Sequence, residues 1–191
     1  VMTAAILRRW WPDSEIVFGH PGALRAGMLD DVIDRHTAVC DLPRHPQCGL
    51  SIDHHQSNAQ PDALGSSEMV VVWEPTPSAA RIAFEMVGEV VDITDLAELM
   101  EWVDKLDGGS ISKEEYLSDQ PVVWLGRIIG GNDEISLEIL EALDKVHKIV
   151  LSRKCLVLAD NQNAPRRKTS VVTREHMTRR RLKRMLSWSI G

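Results

Sequence analysis

Four short apolar segments, each bounded by polar or turn-forming residues, constrain the fold of this chain more than any other feature. They cover residues 15–18, 37–40, 50–52 and 69–73. The last of them, Met-Val-Val-Val-Trp, is rich in β-branched side chains and does not alternate with polar residues. That pattern is typical of a strand buried on both faces of a sheet. The sequence therefore predicts four short strands.

Helical segments alternate with these strands. The spacing of apolar residues predicts helices over 1–11, 24–35, 79–90, 96–105, 135–158 and 171–188, and a helical or irregular segment over 120–129. Strands that alternate with helices of about a dozen residues are typical of parallel sheets. We therefore expect an α/β fold with a mainly parallel sheet, helices on both faces and a helical C-terminal extension.

The composition is that of an ordinary folded protein, with 43% hydrophobic and 26% charged residues among 191. No apolar run approaches the roughly 20 residues of a membrane-spanning helix, and the N-terminus lacks a secretory pattern. Three cysteines at irregular spacing fit a reducing compartment. We therefore expect a cytoplasmic protein without a membrane partner, and the sequence leaves its oligomeric state open.

Candidate metal ligands follow two of the predicted strands. Asp53, His54 and His55 come directly after the apolar residues 50–52, and Asp41 ends the segment 37–40. Each residue alone is more often a turn former or a surface residue than a ligand. In combination, carboxylates and imidazoles at the C-terminal edge of a sheet suit Mn²⁺, Mg²⁺ or Zn²⁺.

These motifs resemble those of the DHH phosphoesterase superfamily. Asp53-His54-His55 after an apolar strand is similar to the third motif, and Val39-Cys40-Asp41 to the second. The helix start Pro77-Ser78-Ala79-Ala80 and the segment Trp102–Asp107 resemble later family motifs. The resemblance covers most of residues 1–109, and it implies a DHH-type α/β catalytic domain over 1–130.

The resemblance also implies a site for two manganese ions, with magnesium as an alternative. Asp41 would bridge the ions, and His54 and Asp104 would complete the ligands of one of them. His55 would act beside the phosphate, and Asp53 would orient the histidines. Asp104 is favoured for this role because it directly follows the apolar pair Trp102-Val103. Asp107 is the alternative. Ser78 is expected to contact substrate.

The implied reaction is hydrolysis of a phosphodiester or phosphoanhydride bond in a nucleotide, oligonucleotide or similar phosphate. The family's first motif, an Asp-x-Asp-Gly loop ahead of the first helix, has no counterpart between Val1 and Asp13. Either the sequence continues upstream, or one metal site is missing. The second case predicts a catalytically impaired relative that binds nucleic acid or a nucleotide. A metal-dependent hydrolase of another kind that converged on Asp-His-His is a third hypothesis.

The C-terminal part carries most of the positive charge. Residues 166–184 contain nine basic residues and one acidic residue, so this segment has a net charge of +8 within a chain of −6. We expect 131–191 to form a helical extension with a basic tail, linked to a further C-terminal domain if the chain has one. Arg166 and Arg167 are candidate contacts for phosphate or nucleic acid. The alternative is a solvated helix that balances the acidic remainder.

Overall fold

A computed structural model describes residues 1–59, 69–129 and 133–145. One compact unit extends from Val1 to Asp144. Arg166, Arg167 and the predicted helix over 171–188 lie outside the described residues, as does the second half of the predicted helix over 135–158.

The centre of the fold is a parallel sheet of three strands, in the order β1-β2-β3. The strands are β1 (Ala38–Cys40), β2 (Leu50–Asp53) and β3 (Val70–Trp73). Cys40 lies opposite Ile52, and Asp53 lies opposite Trp73. Because the strands are parallel and in this register, their C-terminal ends meet at one edge of the sheet.

Seven α-helices flank the sheet in the described residues, joined by turns and loops. They are α1 (Met2–Trp10), α2 (Pro21–Arg25), α3 (Ala79–Gly88), α4 (Ala97–Asp107), α5 (Lys113–Tyr116), α6 (Pro121–Ile129) and α7 (133–145). The α/β class with a parallel sheet predicted from the sequence is confirmed. None of the helices in the described ranges combines the length and apolar composition needed to cross a membrane.

Both faces of the sheet are covered. All four residues of β2 are buried, which requires packing above and below the central strand. Leu24 and Ile33 form a cluster with Val39 and Cys48 on one side. Helix α3 packs on β2 and on α1, and the fully buried Ile6 and Ala83 lie in these two helices. The sheet edge that carries Asp41 and Asp53 is thereby held by a packed core.

Two predicted elements are wrong. Residues 15–18 are not a strand, because the sheet of the described chain offers them no neighbouring strand, and a strand is defined by its ladder of hydrogen bonds. Only Leu24 and Arg25, the last two residues of α2, are helical in the predicted helix over 24–35, and turns follow them. Gly27, with φ of 72°, adopts the left-handed conformation and ends the helix after Arg25.

Candidate metal centre

The turn after β2 is organised by the buried side chain of Asp53. Its Oδ1 accepts hydrogen bonds from the backbone amides of His54 (2.8 Å) and His55 (3.1 Å) and from His55 Nδ1 (2.8 Å). Its Oδ2 accepts a hydrogen bond from Asn58 Nδ2 at 2.6 Å. One carboxylate therefore holds the backbone amides of both histidines and the ring of the second.

His54 is held by a carbonyl on a neighbouring loop. Its Nδ1 lies 3.1 Å from the carbonyl oxygen of Thr76, and only 10% of its side chain is exposed. A carbonyl oxygen only accepts hydrogen bonds, so Nδ1 carries the proton. The other ring nitrogen, Nε2, therefore points toward Asp41 and Asp107, which is the orientation of a metal-ligating histidine.

Asp41 reaches the histidines through an unusual backbone conformation. Its φ of 61° lies in the left-handed region, while its amide still donates a hydrogen bond to the Ile52 carbonyl at 2.8 Å. This conformation is uncommon for a residue with a side chain, although Asp tolerates it better than most. The bend places Asp41 Oδ1 3.3 Å from His54 Nε2 and 3.7 Å from His55 Nδ1.

The second carboxylate beside His54 is Asp107, the last residue of α4. Its Oδ2 lies 3.5 Å from His54 Nε2. Asp104, the residue favoured from the sequence, is one turn earlier in the same helix and is engaged elsewhere. Its Oδ1 accepts a hydrogen bond from Ser78 Oγ, and its Oδ2 accepts two from Arg81. The geometry therefore favours Asp107 over Asp104 as the partner of His54.

Burial and mutual repulsion shape the protonation of this cluster. Burial raises the pKa of Asp41 and of Asp107, and the negative charge of Asp41 raises the pKa of Asp107 further. The hydrogen bond to Asp53 raises the pKa of His55. Two carboxylates held this close at neutral pH favour the arrival of a cation.

Two buried polar atoms of the cluster lack a hydrogen bond and indicate that a divalent cation fits between them. Asp41 Oδ1 and His54 Nε2 are both buried, and neither has a hydrogen-bond partner in the described part of the chain. A buried polar atom without a hydrogen bond is costly, and a cation between these two atoms would interact favourably with both. One ligand atom each from Asp41, His54 and His55 lies within 4.8 Å of the others. This oxygen and nitrogen donor set fits Mn²⁺, Mg²⁺ or Zn²⁺.

The neighbouring thiol does not belong to the donor set. The ligand atoms that lie within 4.8 Å of one another belong to Asp41, His54 and His55, and Cys40 is not among them. The site therefore offers oxygen and nitrogen ligands rather than the sulfur ligands of a structural zinc site.

Ser78 is fully buried at the start of α3. Its Oγ caps the helix by accepting the Arg81 amide at 2.9 Å, and it donates to Asp104 at 2.7 Å. Both hydrogen bonds are internal, which leaves the residue no surface for a substrate. The predicted phosphate contacts Arg166 and Arg167 lie outside the described residues.

Sequence reasoning missed three groups that shape the site: the Thr76 carbonyl, Arg81 and Asn58. A backbone carbonyl leaves no trace in the sequence, and Arg81 has the ordinary pattern of a helix surface residue. Asn58 follows the histidines in the turn, and its short polar side chain is the one signal that pointed to a turn-forming role.

An apolar cavity of about 310 Å³ opens beside the two carboxylates. Asp41 and Asp107 lie in its wall, and the other lining residues are mostly aliphatic side chains of α1, α4 and α6. Because this wall is apolar, loss of hydration is the largest cause of the raised pKa of both carboxylates.

Comparison with known proteins gives one structural likeness. No family model and no curated protein match the sequence. The fold is similar to that of the pGpG-specific phosphodiesterase PggH from Vibrio cholerae, with a TM-score of 0.57 and 22% sequence identity. The match covers 74% of this chain, which spans about half the length (47%) of that protein. At this identity the likeness shows a shared fold.

Proposed function

We propose that this chain is a metal-dependent phosphoesterase acting on the phosphodiester or phosphoanhydride bond of a nucleotide, an oligonucleotide or a similar phosphate. The observation that carries the proposal is that His54 Nε2 lies 3.3 Å from Asp41 Oδ1 and 3.5 Å from Asp107 Oδ2, at the C-terminal edge of a parallel sheet. Within the described residues the buried atoms His54 Nε2 and Asp41 Oδ1 make no hydrogen bond. The DHH-like motifs and the fold shared with a phosphodiesterase support the same reaction class.

In this proposal Asp41, His54 and Asp107 hold manganese, with magnesium as the alternative, and two ions are expected from the DHH resemblance. A bound divalent cation supplies an acidified water and neutralises charge on the phosphoryl oxygens. Side chains of the protein itself position the ligands and contact the substrate. Asp53 fixes the turn, and His55, whose side chain is 47% exposed, faces the substrate. The raised pKa of His55 keeps its ring protonated over a wider pH range, so that it can donate to a phosphate oxygen or to the leaving group.

Hydrolysis of bis(p-nitrophenyl) phosphate with and without Mn²⁺ tests the reaction class. We expect Mn²⁺-dependent release of nitrophenol, lowered by more than about 100-fold in Asp41→Ala, His54→Ala and Asp107→Asn, because each removes a ligand. The exposed histidine variant His36→Ala should keep full activity. Equal activity in EDTA, or an active His54→Ala chain, would contradict the proposal.

Comparison of three natural phosphates narrows the substrate. We propose pGpG, the dinucleotide named for the structurally similar phosphodiesterase, as the first test, beside a longer oligonucleotide and inorganic pyrophosphate. Cleavage of pyrophosphate alone would assign a phosphoanhydride reaction, and cleavage of pGpG or the oligonucleotide a phosphodiester reaction. No cleavage of any of the three, by a chain that binds Mn²⁺, would favour the impaired relative.

We propose in addition that the basic segment of the C-terminal extension predicted over 131–191 binds nucleic acid. The first part of that extension, up to Asp144, belongs to the same compact unit as 1–130. Nine basic residues against one acidic residue in 166–184 favour contact with phosphates. Affinity for a single-stranded oligonucleotide should fall with salt. The double variant Arg166→Ala/Arg167→Ala should reduce that salt slope by roughly 1.4, about 0.7 for each lost contact. Unchanged affinity and slope would support a solvated helix instead.

A further inference from the structure

The Asp104 carboxylate is saturated by two side chains at the start of α3. Its Oδ1 accepts a hydrogen bond from Ser78 Oγ at 2.7 Å, and its Oδ2 accepts from Arg81 Nε at 2.8 Å and from Arg81 Nη2. Only 16% of the Asp104 side chain and 26% of the Arg81 side chain are exposed. This partly buried ion pair ties the last turns of α4 to the start of α3.

Ser78 connects this ion pair to His54 through Thr76. The Thr76 hydroxyl donates to the Ser78 carbonyl at 2.9 Å, which tightens the turn before α3. The Thr76 carbonyl in turn accepts the hydrogen bond from His54 Nδ1 at 3.1 Å. The same short loop therefore anchors the end of α4 and sets the orientation of the His54 ring.

The loop also touches α4 on the other side of Asp107. Gly108, which directly follows Asp107, packs against Pro77 so closely that a Cβ on the glycine would lie 3.2 Å from both the Cβ and the carbonyl oxygen of Pro77. Asp104 and Gly108 thus meet the loop on either side of Asp107. This contact fixes the rotation of α4 that brings the Asp107 carboxylate within 3.5 Å of His54 Nε2.

We propose that Ser78, Arg81 and Asp104 form a positioning network that sets His54 and Asp107 at the separation needed for metal binding. The inference rests on the proposed metal-dependent function and adds residues that do not touch the metal. Asp104 then acts through the backbone of α4 and the loop, as outer partners of metal ligands commonly do. Loss of the charge on Arg81 or on Asp104 should therefore let the distance between His54 and Asp107 vary.

Mn²⁺ affinity of the full chain, measured by isothermal titration calorimetry, tests the network. Arg81→Gln and Asp104→Asn should each weaken Mn²⁺ binding by about tenfold. The matched control is Asp95→Asn, which disturbs a second buried ion pair, to Arg9, in the turn that precedes α4. That control should leave Mn²⁺ affinity unchanged. Thermal unfolding in EDTA monitors the stability of every variant.

The Arg81 variant separates a positioning role from direct ligation. If Asp104 were itself a ligand, removal of Arg81 would free its carboxylate and strengthen Mn²⁺ binding. Unchanged or tighter binding by Arg81→Gln would therefore overturn the inference, as would an equal loss in Asp95→Asn. If Arg81→Gln does not fold, Arg81→Lys keeps the charge and should show a smaller loss of affinity, whereas wild-type affinity in Arg81→Lys would count against the network.

Two further variants distinguish failure of this inference from failure of the proposed function. His54→Ala and Asp107→Asn remove proposed ligands and should abolish Mn²⁺ binding. If they bind Mn²⁺ like the wild type, the metal-dependent function fails. If they lose binding while the Arg81 and Asp104 variants keep it, only the positioning network fails.

Discussion

The Asp53 carboxylate binds both the backbone of the turn and the ring of His55. It accepts four hydrogen bonds, of which three come from the two histidines and one from Asn58. Charge-assisted hydrogen bonds of this type are about twice as strong as neutral ones. The side chain is therefore both a structural cap and the negative charge that controls His55.

Replacement of that charge should change the titration of His55. The hydrogen bond from His55 to the Asp53 carboxylate, and then the charge of that carboxylate, raise the pKa of His55. In Asp53→Asn the amide oxygen still accepts a hydrogen bond, but a neutral acceptor stabilises the protonated ring less than a carboxylate does. We expect the pKa of His55 to fall, measured by NMR titration of the metal-free chain. Asp13→Asn, which removes an exposed carboxylate, is the matched control. A His55 pKa that is the same in Asp53→Asn and wild type would refute the assigned role of Asp53.

The C-terminal end of α4 depends on a small residue at position 108. A Cβ on Gly108 would lie 2.8 Å from the Asp104 carbonyl oxygen and 3.2 Å from that of Pro77, and both are backbone atoms that cannot turn aside. The close approach of helix and loop explains why glycine follows Asp107. The same contact makes this helix end sensitive to any added side chain.

Gly108→Ala should destabilise the chain by about 1–3 kcal/mol through overpacking. The matched control is Gly88→Ala in α3, where the nearest atom to a new Cβ is 3.8 Å away and the conformation is helical. That substitution should stabilise by about 0.5–1 kcal/mol. Urea denaturation in EDTA measures both. Equal effects of the two alanines would mean that the contact with Pro77 does not constrain α4.

Element prediction succeeded where the pattern was local and failed where a partner was needed. The strands over 37–40, 50–52 and 69–73 and the helices over 79–90 and 96–105 lie within about two residues of the observed β1, β2, β3, α3 and α4. Residues 15–18 have strand composition, but a strand also requires a neighbour, and composition does not supply one. Apolar residues recur at helical spacing over 24–35, but the left-handed conformation of Gly27 ends the helix at Arg25.

The carboxylates of the candidate metal site make the stability of the whole chain depend on pH. Folding partly buries Asp41 and Asp107, whose side chains stay 43% and 36% exposed, and this desolvation raises their pKa above the unfolded value of 3.8. A carboxyl group with a raised pKa in the folded state binds protons more tightly there than in the unfolded chain. As pH rises through the interval between the two pKa values, the metal-free chain therefore loses stability. A bound cation removes this penalty, because it binds the ionised carboxylates.

We therefore expect the rise in Tm on addition of Mn²⁺ to be larger at pH 8 than at pH 5. Protons compete with the metal for the carboxylates at the lower pH, and a ligand stabilises only in proportion to its binding. Thermal unfolding in EDTA and in Mn²⁺ at both pH values measures the difference. His54→Ala should show no rise at either pH. A rise that is equal at the two pH values would argue against carboxylate ligation.

The sequence by itself determined the parts of this protein that depend on neighbours along the chain. The apolar runs set the strands of a parallel sheet, and Asp53-His54-His55 set the chemistry at one strand end, because the Asp53 carboxylate reaches the amides that directly follow it. Only the tertiary structure decided between Asp104 and Asp107. Both lie on α4 one turn apart, and the packing of that helix against the loop before α3 buries one in an ion pair and turns the other toward His54.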